Sequence, residues 1–135
     1  MIEIRRTYRF CSSHSLRRKD WDEATHERVY GRSSHPSGHG HNFRLTVVIH
    51  GEPSPISGQV VDLRVLDQRV DERVVNVYDH RNLNLDVPTL KDQVPCLENL
   101  LKDIWARLLD VVEAPARLHE IALKIDPFLM GVYRG

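Results

Sequence analysis

The sequence has little of what would tie it to a membrane, to nucleic acid or to a disulfide framework. Its two cysteines, Cys11 and Cys96, are too few to cross-link 135 residues, and a reducing compartment is the easier setting. No run of eighteen apolar residues occurs, and residues 1–10 carry Arg5 and Arg6 instead of the apolar stretch of a signal peptide. Nineteen basic residues balance nineteen acidic ones, so no net charge attracts nucleic acid or an acidic membrane. We therefore expect a cytoplasmic protein that binds neither.

The length and composition predict one globular domain. The chain is 41% hydrophobic and 28% charged, which is typical of a soluble globular protein. Its 135 residues can enclose one core but are too few for two ordinary domains. We therefore interpret residues 1–135 as a single domain.

Local patterns predict four strands and two helices. Alternation, or enrichment in Val, Ile and aromatic residues, predicts strands at 2–10, 40–51, 117–125 and 128–134. Apolar residues at helical spacing follow Asp62, a candidate N-cap, as far as Tyr78, and a second helix begins near Leu97. The polar segments between these elements, 15–37 and 79–96, are interpreted as loops. Such a mixed order with sequential strands predicts an α+β domain, with helices on one face of an antiparallel sheet.

Histidine is the residue present in unusual number, with eight in the chain. His39 and His41 stand two apart where a strand begins, and strand residues two apart point to the same face. His14, just past the first predicted strand, is the leading candidate for a third ligand. Three neutral imidazoles suit zinc and leave one coordination position open for water or substrate. A lone H-x-H pair is also common on protein surfaces, so spacing alone leaves both interpretations open.

Four further histidines have no such pattern, and we interpret them as surface or hydrogen-bonding residues: His26, His35, His50 and His119.

Asp79 and His80 form a second candidate pair at the end of the first predicted helix. A carboxylate beside an imidazole can orient the ring and form a proton relay. In the other interpretation Asp79 turns the chain, while His80 favours the negative end of the helix dipole.

Several segments together give the chain a resemblance to the 6-pyruvoyl-tetrahydropterin synthases over essentially its whole length. They occur in the same order in both: FCSSHSL (10–16), YGRSSHPSGHGHNF (30–43), HGEPSPISGQVVDL (50–63), YDHRNLNLDVP (78–88), LENLLKDIW (97–105) and VYRG (132–135). The related 6-carboxytetrahydropterin synthases share most of these segments. The longer spacing in GRSSHPSGHGH is more similar to the pyruvoyl type.

The resemblance implies a fold, a metal and a substrate. The fold is the tunnelling fold, a four-stranded antiparallel sheet with two helices, in which three subunits close a barrel and two trimers stack into a homohexamer. The metal is zinc, held by His14, His39 and His41. The substrate is 7,8-dihydroneopterin triphosphate, which loses its triphosphate at active sites between subunits. Asp79 and His80 match the pair that assists proton transfer in the family.

The catalytic cysteine of the family is missing from this chain. Its place is taken by Ser33 in the pyruvoyl-type alignment and by His35 in the carboxy-type spacing. An unassisted serine hydroxyl is far less acidic than a thiol. His35 could serve as an acid or base near neutral pH, or be an exposed loop residue.

The residue expected to anchor a pterin also differs. Counting back from VYRG places Ile125 where the family has a glutamate, and Asp126 could substitute only if the strand register shifted by one. We expect the start of the second helix, Cys96, Leu97 and Glu98, to contact substrate, because Glu98 matches a family glutamate near the pterin pocket. A thiol at a helix N-terminus is expected to have a lowered pKa, so Cys96 could be a relocated nucleophile. The favoured interpretation is a small, half-buried residue in a capping position.

The sequence therefore predicts a zinc-dependent lyase that acts on a pterin. Its proton transfers would be reassigned among Ser33, His35, Asp79 and His80. Two alternatives remain open: a zinc protein whose substrate is a different, non-pterin heterocycle, and a non-catalytic hexamer that binds a ligand.

Overall fold

A five-stranded sheet is the framework of the computed structural model, which describes all residues from Met1 to Gly135. Its strands are β1 (Ile2–His14), β2 (His39–Gly51), β3 (Arg81–Asn82), β4 (Arg117–Lys124) and β5 (Met130–Tyr133). They lie in the order β3-β1-β2-β4-β5. The four long strands are antiparallel neighbours, as predicted. The two-residue β3, parallel to the end of β1, is an addition within a segment predicted to be a loop.

Four helices accompany the sheet: α1 (Glu23–Tyr30), α2 (Leu63–Val70), α3 (Asn76–Tyr78) and α4 (Leu97–Leu108). A π-helical turn, Asp71–Val75, joins α2 to α3, so residues 63–78 are helical throughout, as predicted. The predicted cap is confirmed, because the Asp62 carboxylate accepts a hydrogen bond from the Arg64 backbone N–H at 2.9 Å. None of the four helices is both long and apolar enough to cross a membrane.

The segment 15–37 is not simply a loop, and this prediction was wrong. It contains α1 and a 3₁₀ turn, Gly31–Ser34. The Asp22 side chain caps α1 by accepting from Thr25 N at 2.8 Å, and Gly31, with φ 55°, ends it. Only His26 is buried in α1, so the helix has no apolar stripe from which it could have been predicted.

The sheet has a core face and an open face. The core face packs against α2, α3 and α4, and its buried side chains alternate along the strands: Tyr8, Phe10, Phe43, Leu45, Val47, Ile49, Ile121 and Leu123. Intervening residues of β1, such as Arg5, Thr7 and Arg9, point to the opposite side, the open face, and are exposed. The predicted arrangement, with helices on one side of the sheet, is confirmed.

Candidate metal centre and its surroundings

Three imidazoles converge on the core face at one end of the sheet. His14 is the last residue of β1 and pairs with His39, the first residue of β2, while His41 follows two residues later on the same face. One ring nitrogen of each histidine lies within 4.8 Å of the corresponding atoms of the other two. The ring centroids are 4.7, 5.1 and 4.9 Å apart, all in edge-to-face arrangements. His14 thus lies within β1 rather than beyond it.

A backbone carbonyl fixes the orientation of His14. Its Nδ1 lies 2.7 Å from the carbonyl oxygen of Pro95. A carbonyl can only accept, so Nδ1 carries the proton and Nε2 is left with a free lone pair. Sequence reasoning missed Pro95, because a backbone carbonyl leaves no side-chain motif.

Burial disfavours the charged form of two of these imidazoles, those of His14 and His41. Burial lowers the pKa of His14 to about 4, with a smaller contribution from the neighbouring His39 and His41. Burial also lowers the pKa of His41, assisted by His39 and opposed by the Asp126 carboxylate. Metal ligands must be unprotonated, so the converging nitrogens and the low pKa values fit a three-histidine metal site.

The loop that carries Ser33 and His35 is attached to the end of β1 beside His14. Leu16 N donates to the Ser33 carbonyl at 2.9 Å, and Ser15 Oγ donates to the His35 carbonyl at 2.7 Å. Gly38 has φ 74°, and a Cβ there would lie 2.9 Å from the His14 carbonyl oxygen, so this close approach requires glycine. Ser33 is half-buried and His35 is exposed. Both candidates therefore lie on the segment next to the metal centre.

Asp79 and His80 do not form a closed pair within one chain. The Asp79 carboxylate accepts from Cys11 N at 2.9 Å, and His80 N donates to the Cys11 carbonyl at 2.7 Å. His80 Nε2 lies 3.9 Å from Asp79 Oδ1, which is too long for a hydrogen bond. The His80 side chain is 82% exposed and its backbone has φ 57°, in the left-handed region.

His80 belongs to the other side of the sheet from the three metal candidates. It lines a shallow cavity with Cys11, Ser13 and Gly40, which alternate to the open face. Within one chain, the pair and the metal centre therefore do not face one another.

The start of α4 lies next to the metal centre, because Pro95 immediately precedes its N-cap, Cys96. Burial raises the pKa of the Cys96 thiol, helped by the Glu98 carboxylate, so the expected lowering at a helix N-terminus does not occur. Glu98 is exposed in the first turn. Leu97 packs against β5, where a Cβ at Gly131 would lie 3.1 Å from Leu97 Cδ2.

The end of β4 supplies no carboxylate at position 125. Ile125 is partly buried against the core, one residue beyond β4. The next carboxylate, that of Asp126, accepts from Phe128 N at 2.7 Å and from Leu129 N at 2.9 Å, and so caps the turn into β5. Asp126 is thus close enough to His41 to affect its pKa but is engaged with the backbone.

Comparison with known proteins identifies the family. Residues 3–134 match the family model for 6-pyruvoyl tetrahydropterin synthase. The human 6-pyruvoyl tetrahydrobiopterin synthase is 34% identical over 133 residues, which cover 98% of this chain and 91% of that protein. The solved structure of the Caenorhabditis elegans 6-pyruvoyl tetrahydropterin synthase superposes with a TM-score of 0.92 at 30% identity, covering 99% and 95% of the two chains.

A third relative, the dihydroneopterin monophosphate aldolase of Pyrococcus furiosus, is 35% identical over 85 residues, or 62% of this chain and 60% of that protein. With the family model matched almost from end to end, the chain belongs to the 6-pyruvoyl tetrahydropterin synthase family, a family of lyases with the tunnelling fold.

Proposed function

We propose that the protein is a zinc-dependent lyase acting on 7,8-dihydroneopterin triphosphate or a related pterin. The observation that carries this proposal is the convergence of three imidazole nitrogens within 4.8 Å in a chain that matches the family over residues 3–134. His14, His39 and His41 would hold the ion. A bound zinc ion polarises a substrate oxygen or lowers the pKa of a bound water.

The chain's own residues would divide the remaining work. The Pro95 carbonyl holds His14 with Nε2 free for the metal. Ser33 and His35, on the adjoining loop, are the candidate replacements for the missing cysteine. Of the two, His35 has the more suitable chemistry, because an imidazole can both take up and release a proton near neutral pH.

Assembly would complete the site. Asp79 and His80 lie toward the open face, so they would reach the metal centre of another copy more readily than their own. We therefore propose a homohexamer of two trimers, built from a single domain that comprises residues 1–135, with active sites between subunits. The pair would then orient and move a proton at a neighbour's substrate.

The similarity to the Pyrococcus aldolase supports one form of this reaction. A retro-aldol cleavage of the dihydroneopterin side chain needs a polarised oxygen and one base. It does not need the missing thiol, and His35 or His80 could act as that base.

Ile125 favours a second candidate, a zinc enzyme with a non-pterin heterocyclic substrate. An isoleucine cannot accept a hydrogen bond from the amino and ring N–H groups of a pterin. Leaving such a group unpaired in a buried pocket would cost about 1–3 kcal/mol. The nearby Asp126 carboxylate is engaged in a turn and would have to leave it to take over.

The test is to purify the protein without added metal, count zinc per chain, and assay 7,8-dihydroneopterin triphosphate for pterin products and triphosphate release. We expect about one zinc at the three-histidine centre, and we expect His39→Ala to lose both this zinc and turnover. Asn42→Ala is the matched control, since Asn42 is exposed on the open face of the same strand and should retain both. Absence of zinc, or turnover that survives His39→Ala, would contradict the proposal.

Ile125→Glu separates the two candidate substrates. Zinc without turnover in the parent, followed by pterin turnover in this variant, would favour a non-pterin substrate for the natural chain. Zinc and ligand binding without turnover in either protein would indicate a non-catalytic ligand-binding hexamer.

A further inference from the structure

A second group of metal-ligating side chains lies at the other end of the sheet, on its open face. Glu3 near the start of β1, His50 near the end of β2, and His119 of β4 each place one donor atom within 4.8 Å of the other two. His50 Nε2 lies 2.9 Å from Glu3 Oε2. The rings of His50 and His119 stack with centroids 3.6 Å apart and planes inclined by 13°. None of these residues takes part in the centre formed by His14, His39 and His41.

A β-bulge brings His119 to this position. Ile49 pairs with Leu118 and Val48 pairs with Glu120, so His119 is an extra residue on β4 without a partner on β2. The bulge lets Leu118 pack toward the core while His119 and Glu120 both point to the open face. A regular strand could not place both there, because neighbouring side chains alternate.

We propose that Glu3, His50 and His119 form a second site for a divalent metal ion, of the two-histidine, one-carboxylate type that zinc accepts. The 2.9 Å between His50 Nε2 and Glu3 Oε2 is compatible with two ligands that each lie about 2.0–2.2 Å from a shared ion. Binding replaces the proton between these two atoms with the metal.

A hydrogen bond from Arg5 orients the Glu3 carboxylate for metal binding. Arg5 Nε donates to Glu3 Oε1 at 2.6 Å, which orients the carboxylate and leaves Oε2 turned toward His50. The two ring planes are nearly parallel, with centroids 3.6 Å apart, so an ion in the plane of one ring lies out of the plane of the other. Coordination by both rings therefore requires one imidazole to turn about its χ2. His119 is only half-buried, and it has the freedom to make this turn.

This site is independent of the proposed lyase function. It lies on the opposite face of the sheet from the three-histidine centre and at the opposite ends of β1 and β2. Its ligands come from strands whose pairing is already fixed by backbone hydrogen bonds, so the metal-free protein should fold without it.

The test has two titrations of the metal-free protein. Calorimetry monitors binding of Zn²⁺, and the absorption spectrum of bound Co²⁺ reports the ligand set. We expect two equivalents per chain in the parent, one in His119→Ala and one in His39→Ala. Glu3→Gln, which keeps the shape of the side chain, should weaken the second equivalent at least tenfold, and Asn42→Ala should retain both. A single equivalent in the parent that is lost in His39→Ala and retained in His119→Ala would overturn the proposal. So would a second equivalent that persists unchanged in both His119→Ala and Glu3→Gln.

Discussion

Replacing His80 by glycine should stabilise the fold while removing a candidate catalytic group. His80 has φ 57°, a left-handed conformation that costs a residue with a Cβ about 1–2 kcal/mol. Glycine avoids this cost, but its greater conformational freedom stabilises the unfolded chain by about 0.5–1 kcal/mol. The imidazole is 82% exposed and 3.9 Å from Asp79, so its loss removes little. The net expectation is a gain of about 0.5–1 kcal/mol.

His80→Ala is the matched control, because it removes the same imidazole and keeps the Cβ that strains the backbone. Urea unfolding of the two variants, at equal protein concentration, should place the glycine variant about 0.5–1 kcal/mol above the alanine variant. The corresponding difference in Tm is about 3 °C for a domain of this size.

Both variants should lose pterin turnover to the same extent if His80 moves a proton during catalysis. A glycine variant no more stable than the alanine variant would refute the reasoning about strain. Turnover that persists in both would remove His80 from the candidate catalytic groups, whatever the stability result.

Three further perturbations test other parts of the structure. In the metal-free protein, the free energy of unfolding should fall as pH drops from about 6.5 to about 4. Burial lowers the pKa of His14 to about 4 in the folded chain, so the unfolded chain binds this proton more tightly. In urea titrations, the His14→Asn variant should lack up to about 3 kcal/mol of this fall. If the unfolding free energy of the variant and of the parent depended on pH in the same way, the effect could not be due to His14. Asp103→Ala should lower the free energy of unfolding by about 2 kcal/mol, because the Tyr78 hydroxyl and the Arg107 guanidinium both donate to the Asp103 carboxylate. Asp110 is exposed, so Asp110→Ala should lower it by about 0.5 kcal/mol or less in the same assay. Chelation should lower Tm and added zinc should restore it, because an ion at a hundred times its Kd stabilises the folded chain by about 2.7 kcal/mol per site. An unchanged Tm would argue against a tightly held ion.

The parts of the fold that could be predicted are those with strong apolar periodicity. The helix behind Asp62 and the helix from Leu97 were predicted because their apolar residues recur at helical spacing. α1 was not predicted, since its stability comes from the Asp22 cap and the Gly31 terminus rather than from an apolar stripe. Those two end signals are present in the sequence and could have located it.

The candidate metal centre was predictable only in part. Alternation along one strand put His39 and His41 on the same face. The pairing of His14 with His39 depends on the register of two strands separated by a long connection, and no local pattern specifies that register. The Cys96 pKa was predicted in the wrong direction because helix position is visible in a sequence, whereas burial is not. The group at Glu3, His50 and His119 depends on a bulge in the pairing of β2 with β4, which no local sequence pattern specifies.

The hydrogen bond between His14 and the Pro95 carbonyl links two events that look separate along the chain. It ties the end of β1 to the residue just before the N-cap of α4. A ligand that shifts the first turn of α4, through Cys96 or Glu98, therefore also rotates or releases the imidazole. By the same linkage, an ion held at His14 restrains that turn. Metal binding at His14 and ligand binding at the start of α4 would thus be thermodynamically coupled, and each would alter the affinity for the other by the same factor.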